Sequence, residues 1–371
     1  MSETQKHTKP NVPNLRFPGF EGEWKATILG DLVDIRSGVS PTGIVDEKGT
    51  IPYYKVEQLN QCFTELGETP YFAKNDSIPT NSIVFPKRGA AIMTNKIRLS
   101  SQPCQLDTNL MALTVKDDTV DFRYLFYFLQ RCQLSKIADT STIPQINNIH
   151  INPIKIYLPS IQEQKKTSTF LSNLDDRIET QIKVIEDLKK LKTALCEKFL
   201  VQISNSPLAE LGKHCSITTG KLDANAMSES GKYMFFTCAK ENYRTDTYAF
   251  EGDALLISGN GELGLCKYYS GKFNAYQRTY VLQNFDMDIQ FAKLMIDSFL
   301  PRKIYREKNV GAMPYIVLST LSELQIPVPD CKIQTHISTV LSTFANKIEL
   351  EECLLTKLIL MKNHFLSQMF I

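Results

Sequence analysis

The chain repeats itself, and that repeat constrains its fold more than any other feature. Leu29-Gly30-Asp31-Leu32-Val33-Asp34-Ile35-Arg36-Ser37-Gly38 is answered by Leu211-Gly212-Lys213-His214-Cys215-Ser216-Ile217-Thr218-Thr219-Gly220. The Leu-Gly opening, the Ile and the closing Gly coincide at an offset of 182 residues, from 29 to 211, and Tyr53-Tyr54 meets Phe235-Phe236 at the same offset. The match resumes at an offset of 170, from 143 to 313. Ile143-Pro144-Gln145-Ile146 faces Met313-Pro314-Tyr315-Ile316, Ile156-Tyr157-Leu158-Pro159 faces Ile326-Pro327-Val328-Pro329, and Gln164 faces Gln334. The change of offset means a shorter middle in the second copy, which loops absorb at little cost.

Each copy closes with a helical pattern. Leu171, Leu174, Ile178, Ile182, Ile185, Leu188, Leu191, Leu195 and Phe199 step by threes and fours, as do Ile337, Leu341, Phe344, Ile348, Leu355, Leu358, Met361, Phe365 and Met369. That spacing predicts one apolar stripe per helix, each starting after a proline, Pro159 or Pro329. Each helix would extend about 55–60 Å at the standard rise. A lone helix of that length would leave its stripe wet, so the simplest fold pairs the two as a coiled coil. The alternative packs each helix on its own globular domain. Glu351-Glu352 interrupts the second stripe, which predicts a looser spot or one facing another subunit.

The regions before the helices carry short β-rich runs, such as Ser82-Ile83-Val84-Phe85 and Ala254-Leu255-Leu256-Ile257. Short helices are expected at Phe122 to Lys136 and Ile289 to Leu300. The fold class is therefore α+β: two globular α+β domains, each followed by a long helix, the two helices paired antiparallel in a pseudo-twofold internal repeat. The boundaries read as a leader over 1–23, a domain over 24–160, a helix over 161–203, a second domain over 204–330 and a second helix over 331–371.

Composition adds limits. The 371 residues suffice for two or three domains, the apolar fraction of 43% is that of a soluble protein, and no apolar run is long enough to cross a membrane. Met1 to Asn14 is polar and does not read as a secretory signal. The nine cysteines form no CxxC pair and are expected to be reduced thiols in the cytoplasm. A net charge of +2 does not by itself point to nucleic acid.

Two variable domains, each followed by a long helix, resemble the HsdS family, the specificity subunits of type I restriction–modification systems. Several residues carry the resemblance. Leu15-Arg16-Phe17-Pro18-Gly19-Phe20 followed by Trp24 is similar to the family's opening, and the Leu29-Gly30…Ser37-Gly38 element comes next, with its second copy. Leu158-Pro159-Ser160-Ile161-Gln162-Glu163-Gln164 resembles the family's LPxxxEQ approach to the first spacer helix, and Val328-Pro329…Gln334 is a degraded version without the Glu. Leu174-Asp175-Asp176-Arg177-Ile178 resembles the family's LD..I step, which Ala345-Asn346-Lys347-Ile348 replaces in the second copy.

The resemblance implies a division of labour. Each globular domain would be a target-recognition domain reading half of a split, asymmetric sequence on double-stranded DNA. The helices would space the readers and dock two modification (methyltransferase) subunits, with two restriction subunits joining for cleavage. The chain itself would be non-catalytic, with no cofactor, metal or membrane partner. The helix interface would include Leu174, Ile178, Leu188 and Leu195 with Phe344, Ile348, Leu358 and Phe365.

Phosphate contacts need cations, and base reading needs forked donors or amides. Residues 83–103 hold Lys87, Arg88, Lys96 and Arg98 without an acid, and residues 263–285 hold Lys267, Lys272 and Arg278 without one. A third candidate is Arg302, Lys303, Arg306 and Lys308, before Gly311-Ala312-Met313-Pro314-Tyr315. Gln145 and Tyr315 are candidate readers, and Asn260 joins them from its glycine-rich loop. The bland roles are solvated basic loops and turn chemistry around proline. Part of the cationic grip would come from the modification subunits.

Catalytic signals are weak. Gly259-Asn260-Gly261-Glu262-Leu263-Gly264 fits GxGxxG, but Cys266-Lys267-Tyr268-Tyr269 after it reads as a second strand rather than a helix, so a β-hairpin loop is expected. There is no GxxxxGK[ST] loop and no Asn-Pro-Pro-aromatic tetrapeptide, and the five histidines make no metal spacing. Two other classes remain, a catalytic protein and a coiled-coil interaction scaffold without DNA reading. The second explains the helices but not two similar β-rich domains.

Overall fold

The structure is a computed structural model and describes residues 11–74, 77–307 and 315–371. The chain divides into two compact units, one running to Ile185 and including Glu351–Ile371, the other Glu186–Leu350. Each long helix therefore contributes one half to each unit.

In the first unit, strand β1 (Lys25–Ile28) leads through a single helical turn, α1 (Leu29–Leu32), into β2 (Val33–Ser37). Next come β3 (Ile51–Tyr54), β4 (Phe72–Ala73), β5 (Ile83–Pro86), β6 (Arg98–Leu99), β7 (Gln105–Leu106) and β8 (Leu110–Val115). Helix α2 (Phe122–Cys132), the short α3 (Asn148–Ile151) and β9 (Lys155–Leu158) complete the reader, and α4 (Ile161–Gln202, 42 residues) leaves it. Among the described residues the sheets are β2-β8-β5-β6, β4-β3-β7 and the pair β1-β9. The apolar face of α2, with Tyr124, Leu125, Phe128 and Leu129, closes the core together with Phe85, Leu113, Leu171 and Phe370. Each fully buried aliphatic there contributes about 1.5–3 kcal/mol. The leader joins this core: Leu15 N–H donates to Gln368 O at 2.9 Å, and Phe17 packs edge-on against Phe170.

The second unit repeats the scheme. Its strands are β10 (Leu208–Glu210), β11 (Ser216–Thr219), β12 (Tyr233–Phe236), β13 (Tyr243–Thr245), β14 (Phe250–Ser258), β15 (Cys266–Ala275), β16 (Thr279–Gln283) and β17 (Gln325–Pro327). Its helices are α5 (Ile289–Glu307), the short α6 (Leu318–Ser322) and α7 (Cys331–Met369, 39 residues). Among the described residues one sheet runs β11-β16-β14-β15-β12-β13, and β10 pairs with β17. Tyr53-Tyr54 pairs in parallel with Gln105-Leu106, and Phe235-Phe236 pairs in parallel with Asn274-Ala275, so this duplicated aromatic pair marks the same strand in both units.

The repeated residues have a shared physical reason. A Cβ on Gly38 would lie 2.0 Å from Asp107 O, and one on Gly220 would lie 2.0 Å from Ala275 O. Only glycine lets the backbones meet at either place. Gln164, buried, donates through Nε2 to Pro159 O at 3.0 Å and accepts from Asp121 N–H at 2.9 Å. Gln334 does the same with Pro329 O at 2.9 Å and Asp288 N–H at 3.1 Å. Asp121 and Asp288 in turn accept from the first-turn N–H groups of α2 and α5, satisfying donors a helix start leaves open. The Pro…Gln spacing thus pins each reader's helix to the start of the long helix that comes after it.

Two expectations are corrected. Helix α5 does not stop at Leu300: it continues through Pro301 to Glu307, with Leu300 buried and Ile304 packed over Gly264. That packing offsets the roughly 3 kcal/mol an interior proline costs. Of the two readings of the Glu351 position, the looser spot is not found: Gln181 Nε2 donates to Glu351 Oε2 at 2.6 Å and to its backbone oxygen at 3.1 Å. The GxGxxG segment is, as expected, the loop of an antiparallel hairpin between β14 and β15.

Candidate nucleic-acid interface

In both units the end of the central strand is met by two other segments. In the first, Lys87 comes directly after β5. Its N–H donates to Asn109 O at 2.8 Å, and its carbonyl accepts from Ile146 N–H at 2.8 Å. Gly89 N–H donates to Pro144 O at 2.8 Å, and Arg88 forms a β-bridge with Gln145. In the second unit Gly259 comes directly after β14. Its N–H donates to Arg278 O at 2.9 Å, and its carbonyl accepts from Ile316 N–H at 2.9 Å. The same two bonds thus place Lys87, Asn109 and Gln145 together in one unit and Gly259, Arg278 and Tyr315 in the other.

The side chains at these junctions differ. Arg88 and Gln145 are exposed, and Gln145 Nε2 donates to Asn147 Oδ1 at 3.0 Å. Burial lowers the Lys87 pKa, and the neighbouring Arg88 charge pushes the same way. In the second unit a groove of about 390 Å³ opens between Thr219, Gln277, Arg278, Tyr280 and Tyr315. Tyr280 OH donates to Ile316 O at 2.9 Å and fixes its floor, while Tyr315 stands 67% exposed. Asn260 is half-buried beside Gly259.

Other candidates lie elsewhere. Arg98 is buried, with Nε donating to Cys62 O at 2.8 Å, and burial lowers its pKa to about 10. It is an interior cation rather than a surface one. Lys267 Nζ binds the carbonyls of Ala239, Lys240 and Glu241 and the side chain of Asn242, so it clamps a loop. Lys96 donates to Asn60, and Lys303 sits 3.7 Å from Glu307 with a bond to Ser319 O at 3.4 Å. Arg302 and Arg306 are exposed near the end of α5. Lys308 and the Gly311-Ala312-Met313-Pro314 segment lie outside the described residues. Asn109 and Gln277, which the sequence does not single out, stand at these junctions. The signal that marks them is the turn before β8 and β16, where Thr108-Asn109 occupies the place of Gln277-Arg278.

The helix residues divide by unit. Leu174, Ile178 and Leu358 share a buried cluster that Phe365 flanks. There α4 and α7 run antiparallel, since Phe170 meets Phe365, Asp175 meets Lys362 and Gln181 meets Glu351. In the second unit Leu195 packs against the core that holds Phe199 and Ile337. Ile348 is buried, while Leu188 and Phe344 are half-buried.

The described residues contain no helix long and apolar enough to cross a membrane and no group of His, Cys, Asp or Glu able to hold a metal ion.

The family described as "Type I restriction modification DNA specificity domain" matches twice, over residues 21–189 and 203–359. The chain is 36% identical over 140 residues to the type I restriction enzyme EcoDI specificity subunit of Escherichia coli, covering 38% of this chain and 31% of that protein. It is 24% identical over 383 residues to the MjaVIII specificity subunit of Methanocaldococcus jannaschii, covering 89% of this chain and 88% of that one. The crystal structure of the S subunit of a type I restriction–modification system from M. genitalium superposes with a TM-score of 0.68 at 18% identity, covering 97% of this chain and 99% of that one. That structure shares the fold, and the doubled sequence match settles the family: the chain belongs to the DNA-specificity subunits of type I restriction–modification systems.

Proposed function

We propose that each unit reads one half of a split double-stranded DNA target through its strand-end junction. The carrying observation is that two units with different surface side chains build this junction with the same backbone bonds. Lys87, Arg88, Asn109 and Gln145 would serve one half-site, and Asn260, Gln277, Arg278 and Tyr315 the other. Arg302 would add a phosphate contact. Arg and amide side chains can each form forked contacts to a base edge. Because the two sets differ, the two half-sites differ. Lys96, Arg98, Lys267 and Lys303 already have partners and are assigned support roles.

The chain would not catalyse. It would direct two modification subunits, which dock on the helices, and two restriction subunits that complete the complex in the cytoplasm. Exposed apolar side chains on the helices, including Leu354, Leu360 and Met361 in one unit and Leu191 in the other, suit such docking.

DNA binding measured against salt tests this reading. The chain with its modification partner should bind a specific site tightly, with affinity falling steeply as salt rises. The chain alone should bind weakly. No binding by the complex would leave a protein-interaction scaffold.

A further inference from the structure

Gln145 is exposed, yet its amide is tied down. Its backbone exchanges two hydrogen bonds with Asp139, each at 2.9 Å, and Ile146 after it donates to Lys87 O. Its side-chain Nε2 donates to Asn147 Oδ1 at 3.0 Å. Asn147 is fixed in turn by His150, with which it forms the reciprocal capping box that opens α3. Asn147 N–H donates to His150 Nδ1 at 3.0 Å. A backbone N–H can donate but not accept, so Nδ1 accepts and the ring proton sits on Nε2. In such a box the Asn oxygen, not its NH2, faces the open N–H groups of the first turn. It is therefore an oxygen that Gln145 meets, and Gln145 must turn its NH2 toward it.

The second unit builds the same turn without these side chains. At the offset of 170 residues, from 145 to 315, Tyr315, Val317 and Thr320 stand in the places of Gln145, Asn147 and His150. Thr320 N–H donates to Val317 O at 3.1 Å, as His150 N–H does to Asn147 O at 2.9 Å. Val317 and Asn147 are both extended, with φ/ψ of −98°/163° and −123°/169°. Val317 has no side-chain acceptor, and the Thr320 hydroxyl donates to Glu307 Oε2 at 2.7 Å. The turn therefore does not need Asn147 and His150, and what they add falls on Gln145.

Among the described residues, the Gln145 Oε1 takes no hydrogen bond and its second Nε2 proton makes none. An amide held this way presents one acceptor beside one donor. On its major-groove edge adenine presents the complementary pair, the N6 donor and the N7 acceptor, whereas guanine presents two acceptors. Turning the amide over would exchange the two groups and lose the match. We propose that Gln145 reads an adenine in the half-site of the first unit, and that Asn147 and His150 are positioning residues that hold its amide for that reading. The proposal rests on the DNA-reading role given above. The second reader, with Tyr315 at this place, has no such fork.

The test uses the chain in complex with its modification subunit and the split site found by mapping methylated bases in cells. In the half-site of the first unit, one adenine at a time on either strand is replaced by guanine with its pairing base, or by 7-deazaadenine, which has C–H in place of N7. Binding is compared for the unchanged complex, Gln145→Ala, Asn147→Val with His150→Thr, and His150→Gln. The double variant carries the side chains that the same turn holds in the second unit, so folding should survive. The expected result is one adenine at which guanine weakens the unchanged complex roughly 10- to 100-fold and 7-deazaadenine by part of that. Gln145→Ala and the double variant should lose most of the discrimination at that base and keep it elsewhere. His150→Gln should retain it, because Gln at this place completes the same capping box. A Gln145→Ala complex that binds every duplex more weakly by the same factor would make Gln145 a phosphate contact and overturn the proposal. A double variant that discriminates as well as the unchanged complex would overturn the positioning roles. An unchanged complex that binds all the duplexes alike would overturn the DNA-reading role itself, which separates the two failures.

Discussion

Replacing Gln164 or Gln334 with Ala should destabilise its own unit by a similar amount. Gln164 is 1% exposed and bridges Pro159 O at 3.0 Å and Asp121 N–H at 2.9 Å, with a further bond to Thr119 O at 3.2 Å. Gln334 bridges Pro329 O at 2.9 Å and Asp288 N–H at 3.1 Å. Each change strands one buried and one part-buried backbone group, at a net cost of about 1–1.5 kcal/mol apiece, or up to about 3 kcal/mol together. In a unit of this size about 3 kcal/mol corresponds to a fall in Tm of roughly 6–12 °C. Calorimetry of the full chain should resolve which transition moves. Gln164→Ala should lower the one belonging to the unit that contains α2, and Gln334→Ala the one containing α5. A fall below about 2 °C for either variant would refute the pinning argument, because a solvated amide costs that little.

Three further outcomes rest on the placement of charges and on the continuity of α4. Arg88→Ala and Arg278→Ala should each weaken DNA binding by the assembled complex and reduce the salt slope by about one, read by titration at several salt concentrations. Arg98→Ala should lower thermal stability, and Lys267→Met should speed proteolysis in the 239–242 loop. Neither should change the salt slope of the folded complex, and a reduced slope would return them to the DNA surface. Leu188→Pro should break α4 and abolish copurification with the modification subunit, because the ring removes an interior hydrogen bond and clashes with the preceding turn.

Much of the architecture was legible because duplication reports packing twice. Gly38 and Gly220 are required by the same close backbone approach, and Gln164 and Gln334 by the same pin. The helix faces were less legible. Apolar spacing assigns Met361 inward, yet Met361 is 40% exposed and Lys362 is buried, because its bond to Asp175 lets a cation replace an aliphatic side chain. The departures between the copies have the same kind of cause. Glu163 receives Arg16 of the leader at 2.7 Å, and Ile333 occupies that place in the second copy.

Charge runs show which segments are cationic but not where each cation points. An acid-free stretch cannot show that Arg98 points inward to Cys62 O or that Lys267 is held by three carbonyls. Gln145 and Tyr315 stand out in the sequence because the repeat aligns them, whereas nothing in composition marks Asn109, a turn residue that lends its carbonyl to Lys87. Helix α5 outran its expected end at Leu300 for a local reason: it continues through Pro301, with Ile304 packed on the core of its unit.

The measurement that bears most directly on the account is a map of methylated bases in cells with the gene intact and with it deleted, repeated with Gln145→Ala and with Tyr315→Ala. The account predicts a split, asymmetric motif that vanishes on deletion. Each substitution should relax one half of that motif and leave the other unchanged. A motif that persists without the gene, or one in which either substitution alters both halves alike, would contradict the assignment of one reader to each unit.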